Sequence, residues 1–488
     1  MRVAVVGGGI SGLGAVWLLN EHSRHHVELF EANDYVGGHT HTVSLPTKAP
    51  VDTGFIVFNR LTYPNFTRFL RLLGVTSGPS DMSFSVRRGS NYEWAGTGLA
   101  AAFSGAPDWR AQAHLFWDII RFNTRAPDAL RDPRPTLSVG EYLKENGYSE
   151  VFKRHYLLPM TSAIWSTPAD KTSLLFPIKT LVQFLSNHHL LQVFGQPAWL
   201  TVRGGAQNYI DAILRKLPPT QVHTGASVTS IRREEDGRIR LLFAGSKAQT
   251  EPFDQVIFAT HADETANILE SSPPEPARDR ALSVLSQFSC TPNHAVLHSD
   301  PTLMPSQRRC WTAWNYRIHE ADAGDKKNSL EETVCLTYWM NRLQPQTLPE
   351  SIHGPVFVSL NPPANSISPR EIIGQWTYHH PVYSAKSVAA QANIAGLQTQ
   401  GRMSYVGAWT GYGFHEDGLR SALRLLTVEA IHVFGVKCPD GMDPGLPSSQ
   451  ARQTNLWLRL ILGMIEWFLA LIFGQREYRK LENRTKES

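Results

Sequence analysis

Residues 2–32, "RVAVVGGGISGLGAVWLLNEHSRHHVELFEA", decide the fold. Val3, Ala4, Val5 and Val6 form a short apolar, β-branched run of the kind found in a strand buried on both faces. Gly7, Gly9 and Gly12 follow in a GxGxxG pattern, then Leu13, Val16, Trp17 and Leu19 at helical spacing. A second apolar strand, "VELFEA", carries Glu31, nineteen positions after Gly12. Each part has a physical job. Gly7 permits the tight turn, Gly9 lets the backbone approach a pyrophosphate, and Gly12 lets helix and strand pack closely. Phosphates sit at the helix N-terminus, where Ser11 is placed with the glycines in the cofactor site, and Glu31 accepts hydrogen bonds from a ribose. Strand, glycines, helix, strand and acid in register predict a dinucleotide-binding βαβ unit.

The bulk numbers agree with a packed globular protein. The chain has 488 residues, 42% hydrophobic and 18% charged, which predicts more than one small core. A formal charge of +4 gives no support to nucleic-acid binding. The four cysteines, Cys290, Cys310, Cys335 and Cys438, show no metal-binding or disulfide spacing, which suits a reducing compartment and predicts no metal site. The sequence runs from Met1 straight into a strand, with no signal-peptide pattern.

Beyond the first unit, "EANDYVGGHTHTV" (31–43) places Gly37 and Gly38 just after the ribose acid. Here the chain resembles the flavin-containing amine oxidase superfamily, in which such a GG pair lies near the phosphates of FAD. "VDTGF" (Asp52, Gly54) resembles that family's loop passing the flavin ring. "VRGGAQNYIDAIL" (Gly204, Gly205) is similar to its glycine pair before a helix. "VHTGASVTSIRRE" resembles the strand whose Val228 supplies backbone contacts to adenine, and "DQVIFATHAD", with Ala259, the strand returning beneath the cofactor. One position departs from the pattern: His39 stands where the family has arginine after the glycine pair. A neutral imidazole offers one donor where arginine offers several and a charge. The resemblance implies non-covalent FAD, since no cysteine falls in the turn before the last motif.

That last motif is "GFHEDG" (413–418), within "SYVGAWTGYGFHEDGLRSALRLLTVEAI". A strand from Tyr405 to Gly407 leads to a glycine-rich turn and a helix from about Asp417. His415, Glu416 and Asp417 admit three readings: metal ligands, an acid–base set or a helix start. Adjacent side chains do not converge on a metal. His415 remains open as an acid–base residue. The resemblance favours a cofactor cradle, with Asp417 and Gly418 at a helix N-terminus aimed at the flavin's N1–C2=O edge.

Residues 76–200 and 286–399 lack nucleotide signatures. "FKRHYLLPMTSAIWSTP" (152–168) reads as helix and turn packed on the cofactor domain. "CWTAWNYR" (310–317), "CLTYWMNRLQ" (335–344) and "FVSLNPP" (357–363) alternate as antiparallel strands of a cap sheet, with Trp311, Trp314, Tyr338 and Trp339 assigned to core. In "GQWTYHHPVYS" (374–384) neighbouring histidines face opposite sides of a strand, so one of them, His380, is a candidate pocket or catalytic residue.

The predicted architecture is α/β: a discontinuous Rossmann-type FAD domain (1–75, 201–285, 400–436), an inserted α+β substrate domain (76–200, 286–399), a linker (437–454) and a tail (455–488). In that tail Leu456 to Phe473 is apolar enough to reach the lower limit of a span. Arg459 and Glu466 recur on one side, Trp457 and Trp467 suit an interface, and Arg476, Arg479 and Lys480 follow. A membrane-associated tail is expected, with the catalytic domain on the reducing, cytoplasmic side. "GGHTHTV", "VDTGFIVFN", "TYWMNRLQ" and "YGFHEDG" resemble a group of FAD-binding proteins that accompany cyclopropane-fatty-acyl-synthase-like methyltransferases, which implies an FAD oxidoreductase acting on a fatty-acyl or other lipid substrate. Amine oxidation is the alternative; between 281 and 380 the only lysines are Lys326 and Lys327, in a polar loop, so the lysine such oxidases place near flavin N5 looks absent. A flavin isomerase or a non-catalytic FAD scaffold is a third reading.

Overall fold

The computed structural model describes residues 1–445 and 459–464, apart from 90–91, 103, 105–108, 135, 166–173, 175, 192–196, 246–249 and 319–333. Its centre is a five-stranded, all-parallel sheet in the order Val222–His223, His26–Phe30, Arg2–Val6, Gln255–Phe258, Met403–Tyr405. The apolar run of the first strand is buried on both sides, as a parallel sheet covered by other elements requires. Val3 and Val5 face one core with Leu13, Val16, Tyr209, Ile210 and Leu419. Ala4 and Val6 face another with Phe30, Val256, Phe258, Ile268 and Leu285. The two-residue period of the strand thus divides the domain into two packed layers.

The predicted cap sheet is present and larger than expected. Seven strands run in the order Ile372–Val382, Ser289–His298, Phe357–Leu360, Val334–Trp339, Trp314–Ile318, Phe84–Arg88, Tyr92–Ala95. The three alternating segments read from sequence are neighbours and antiparallel. The pair from the first half, Phe84–Arg88 and Tyr92–Ala95, was not foreseen, and Phe84–Arg88 joins parallel to Trp314–Ile318. Trp314 packs edge-on against Tyr338 at 4.8 Å, and Trp311 against Trp339 at 5.5 Å with the Arg308 guanidinium over both indoles. These four aromatics are structural packing.

Three expectations need correction. The segment 152–168, described as far as residue 165, packs within the cap and not on the cofactor domain: Phe152 and Leu157 share a core with Trp94, Phe122, Leu181 and Tyr316. Phe152 and Tyr156 find their apolar surroundings among cap residues such as Trp94 and Phe122. The helix expected from about Asp417 begins at His415 and runs to Arg424. The first part of the supposed linker is docked: Asn65 accepts from Asp443 N–H at 2.7 Å and donates to its carbonyl at 2.8 Å, and Arg68 Nε donates to the Asp440 carbonyl. The membrane tail falls largely outside the described residues. Of it, 459–464 is helical, with Arg459 bonded to the Thr124 carbonyl and Asp128 at 3.0 Å each and Leu462 buried. No helix among the described residues is long and apolar enough to cross a membrane.

Asp52 joins the two domains. Its carboxylate accepts from Thr42 Oγ1 at 2.6 Å, Ala206 N–H at 2.9 Å and Gln344 Nε2 at 3.0 Å, and its own N–H donates to Gln344 Oε1. Burial pushes its carboxyl up to about 7. A carboxyl whose folded value lies above its unfolded one contributes stability at low pH that is lost as pH rises through the folded value. Over the window from about pH 4 to about 7 this loss amounts to at most about 4 kcal/mol. Asp52→Asn removes the titration and one hydrogen bond to Gln344. Its melting temperature should lie below wild type at pH 4 and converge on it by pH 7.5; a gap that does not change with pH would show that Asp52 stays ionised throughout.

Candidate functional site

The glycine turn sits at the carboxyl end of the first strand and is built by close backbone contact. Gly7, at φ +105°, leaves no room for a side chain: a Cβ there would lie 2.8 Å from the carbonyl of Ala259, and one at Gly12 would overlap the Gly7 carbonyl oxygen. At Gly9 a Cβ would meet nothing within 4 Å, and the backbone there is open to a close-approaching group. The helix Ile10–His22 starts at this point, with no acidic residue in its first turn to compete for its amides. Gly38, also with positive φ, packs against Gly9, so His39 is delivered beside the turn.

A second helix meets the first here. Gly418 lies in the first turn of His415–Arg424, and a Cβ on it would come within 2.6 Å of Ile10 and 2.8 Å of Ser11 Oγ. The two helices cross at these small residues, so both N-termini point into one crevice at the carboxyl ends of the parallel strands. Gly407 belongs to the same ring of contacts. Its N–H donates to Ser421 Oγ, a side chain on it would overlap the Trp409 indole, and that indole donates to the Thr260 carbonyl.

Within "GFHEDG" the three polar residues part company. Asp417 is the third residue of its helix and reaches back to accept from Phe414 N–H (3.1 Å) and Tyr412 N–H (3.0 Å), with Arg420 on its other oxygen. It organises the turn through these bonds and is not the residue that precedes the helix. Burial raises its carboxyl, offset by Arg420. Glu416 serves another helix: it accepts from Asn65 N–H, Asn65 Nδ2 and Phe66 N–H at 2.8–3.1 Å, capping Pro64–Leu72. His415 stacks on Phe55 (3.7 Å, 8°) and shares a hydrogen bond between Nε2 and Tyr209 Oη at 3.0 Å. Burial lowers it to about 3, so at neutral pH it is an uncharged ring in a packed aromatic group. That placement gives it a wall role, where an acid–base role would need it to titrate near its working pH.

Glu31 accepts from Gly8 N–H (2.7 Å) and from Asn33 N–H and Nδ2 (2.9 Å each), and the Ala226 N–H donates to its carbonyl. The acid is therefore locked between the glycine turn and the loop leading to Val228, which is buried among Phe30, Phe243 and Ile231. Gly54 packs its backbone on His39, with Phe55 N–H donating to the His39 carbonyl at 2.9 Å. The Asp52 carboxylate is taken up by Thr42, Ala206 and Gln344. On the opposite wall His380 stacks on His39 (5.0 Å, 17°) and bonds Asn293 through Nδ1 at 3.0 Å, while His379 is exposed. Burial lowers His380 to about 4. Among the described residues one group of potential ligand atoms, from His261, Asp263 and Cys290, lies within 4.8 Å; His261 and Asp263 are two positions apart, but Cys290 follows 27 positions after Asp263, so no motif spacing signals the set.

These features fit FAD: an open, glycine-lined turn at one helix N-terminus, a second N-terminus beside it, and a buried acid at the adenosine end. The sequence-derived Gly7, Gly9, Ser11, Gly12, Gly38, His39, Gly54, Ala259, Gly407 and Gly418 line or build this crevice, with Glu31 and Val228 at one end. Missed from sequence were Tyr209, Asn65 and His261, each dependent on a distant partner.

Comparison with known proteins agrees. The family described as flavin containing amine oxidoreductase matches residues 10–302. Among curated proteins none matches. Putrescine oxidase bound to putrescine is similar in structure, with a TM-score of 0.59, 15% identity, and coverage of 87% of this chain and 98% of that one. Cyclohexylamine oxidase from Brevibacterium oxydans gives 0.60 and 14%, covering 88% and 99%. A CLA-producing fatty acid isomerase from P. acnes gives 0.58 and 13%, covering 87% and 97%.

Replacing the acid tests the adenosine end. Glu31→Ala should weaken FAD about ten- to a hundredfold, the equivalent of roughly 1.5–3 kcal/mol for bonds to a charged group. Flavin fluorescence on dilution measures this. An unchanged dissociation constant in the folded variant would assign Glu31 to the Gly8 and Asn33 amides alone.

Proposed function

The chain belongs to the flavin containing amine oxidoreductases, and from that premise we propose that it takes a hydride from an apolar, fatty-acyl or other lipid substrate. It is a flavin-dependent oxidoreductase with FAD as its cofactor; FAD supplies the hydride acceptor, and the protein supplies orientation and a dry, neutral enclosure. One observation carries the substrate class. Between the helix His415–Arg424 and the cap helix Ile178–Asn187 the contacts are aromatic, and the charge beside them, Arg420, is paired with Asp417. Phe184 stacks on Phe414 at 5.0 Å and meets Tyr412 at 5.8 Å, and His188 lies 5.0 Å from Phe414. Burial holds His188 at about 4, so it too is neutral. The nearby acids Glu416 and Asp417 are committed to protein donors, so neither is free for an ammonium group. The resemblance to proteins accompanying cyclopropane-fatty-acyl-synthase-like enzymes, and the shared fold with a fatty acid isomerase, support the same class. Amine oxidation is the second reading, favoured by the family and by the putrescine and cyclohexylamine oxidase folds.

Anaerobic holoenzyme distinguishes these. Photoreduction followed by an oxygen pulse should bleach and restore the flavin, as a redox enzyme requires; a flavin that cannot be reduced would leave the isomerase or scaffold. Mixing with fatty-acyl lipids should bleach it, and putrescine or cyclohexylamine should not. Bleaching by amines alone would transfer the assignment to amine oxidation.

The tail belongs to this reading. In 459–464 the side chains of Leu460, Ile461 and Met464 are exposed while Arg459 and Leu462 hold the helix to the cap. An apolar face turned outward beside a docked anchor suits a membrane surface, where a lipid substrate resides. Deleting 452–488 should move the protein from membrane to soluble fractions with FAD retained. Wild-type protein that stays soluble at low salt would overturn the anchor.

A further inference from the structure

We infer that His39, supported by His261 and His380, takes the place of an arginine at the FAD diphosphate, and that FAD binding therefore carries a proton with it. The inference rests on FAD occupying the crevice described above. Two loops that follow parallel strands of the central sheet and one strand of the cap bring the residues there. Gly38 packs on Gly9 and presents His39; Ala259 packs on Gly7, and His261 follows two residues on; His380 comes from the cap strand Ile372–Val382. The His39 ring lies 5.0 Å from His380 and 5.6 Å from His261, with Tyr378 edge-on at 5.5 Å. Among the described residues its ring nitrogens have no hydrogen-bond partner. Nδ1 of His261 is likewise buried without one, with Glu264 3.7 Å away.

His39 has an incentive to stay neutral while no anion is present. Burial lowers His39 well below the ordinary histidine range, and His380, His261, His415 and His379 lower it further. Of the acids near the cluster, Glu264 lies 3.7 Å from His261 Nδ1 and Asp263 accepts from Cys290 N–H, and neither is among the main groups that shift His39. A diphosphate at the glycine turn reverses the balance: its negative charge favours the imidazolium, which then donates from both nitrogens. Proton and FAD must then strengthen each other's binding reciprocally. Arginine, charged at every accessible pH, would show no such coupling.

The holoenzyme tests this without turnover. FAD release on dilution, followed by flavin fluorescence, should give a dissociation constant that rises about tenfold between pH 5.5 and 7.5, an uptake of about half a proton averaged over those two pH units. The 31P resonances of the bound diphosphate should titrate over the same range. His39→Arg should bind tightly with a flat pH profile; His39→Gln should bind weakly with a flat profile. A wild-type constant and 31P shifts that do not change with pH would overturn the inference, as would a His39→Gln variant that keeps the wild-type slope. Wild-type protein without flavin at any pH would instead remove the FAD reading itself.

Discussion

Backbone contact at the ends of the parallel strands governs this molecule. Gly7 lies against Ala259, Gly12 against Gly7, and Gly38 against Gly9, and none of these contacts admits a Cβ without displacement. Where Gly418 meets Ile10 and Ser11, the same closeness lets two helices begin side by side. Their unpaired amides and dipoles then favour one place for a dinucleotide's negative charge. The apolar strand run, the two cores on either face and the crossing of the helices all serve to hold that arrangement.

Charged side chains around the crevice act mainly as joints. Glu416 belongs to the motif nearest the flavin site yet caps a helix 350 positions earlier in the chain. Asp52 ties the loop at Thr42, the start of the helix at Ala206 and the cap residue Gln344 into one knot. Asp417 straightens the turn before its own helix. With these carboxylates engaged, the junction with the cap is made by rings: Phe55 stacks on His415, and Phe184 packs on Tyr412 and Phe414.

Legibility in the sequence followed the range of the interaction. The GxGxxG turn, Glu31 and the alternating cap strands are specified by residues within about thirty positions of each other, so spacing reveals them. The opposite facing of His379 and His380 came from strand geometry alone and is seen in the structure. What was hidden depends on distant partners. Nothing near Glu416 points to Asn65, nothing in 152–165 says that its aromatics pack with Trp94 and Phe122, and the strand Phe84–Arg88 is too short and mixed to announce a parallel partner at 314–318. The start of the helix in the GFHEDG motif moved by two residues because Asp417 caps from inside it, which a simple N-cap rule does not anticipate.

The order of the strands also constrains how the protein is made. The central sheet needs Met403–Tyr405 at its edge, and the cap sheet joins Phe84–Arg88 to a strand more than two hundred residues later. Both sheets therefore close only when nearly the whole chain has left the ribosome, and such long-range pairings form slowly. Until Gln255–Phe258 is made, the apolar segment at 2–6 has only the helix Ile10–His22 and the strand His26–Phe30 for cover. The crevice for FAD, requiring Gly418 against Ser11, is among the last features to assemble. Cofactor loading is thus a late event, and free FAD, by binding only the completed crevice, draws folding to its end.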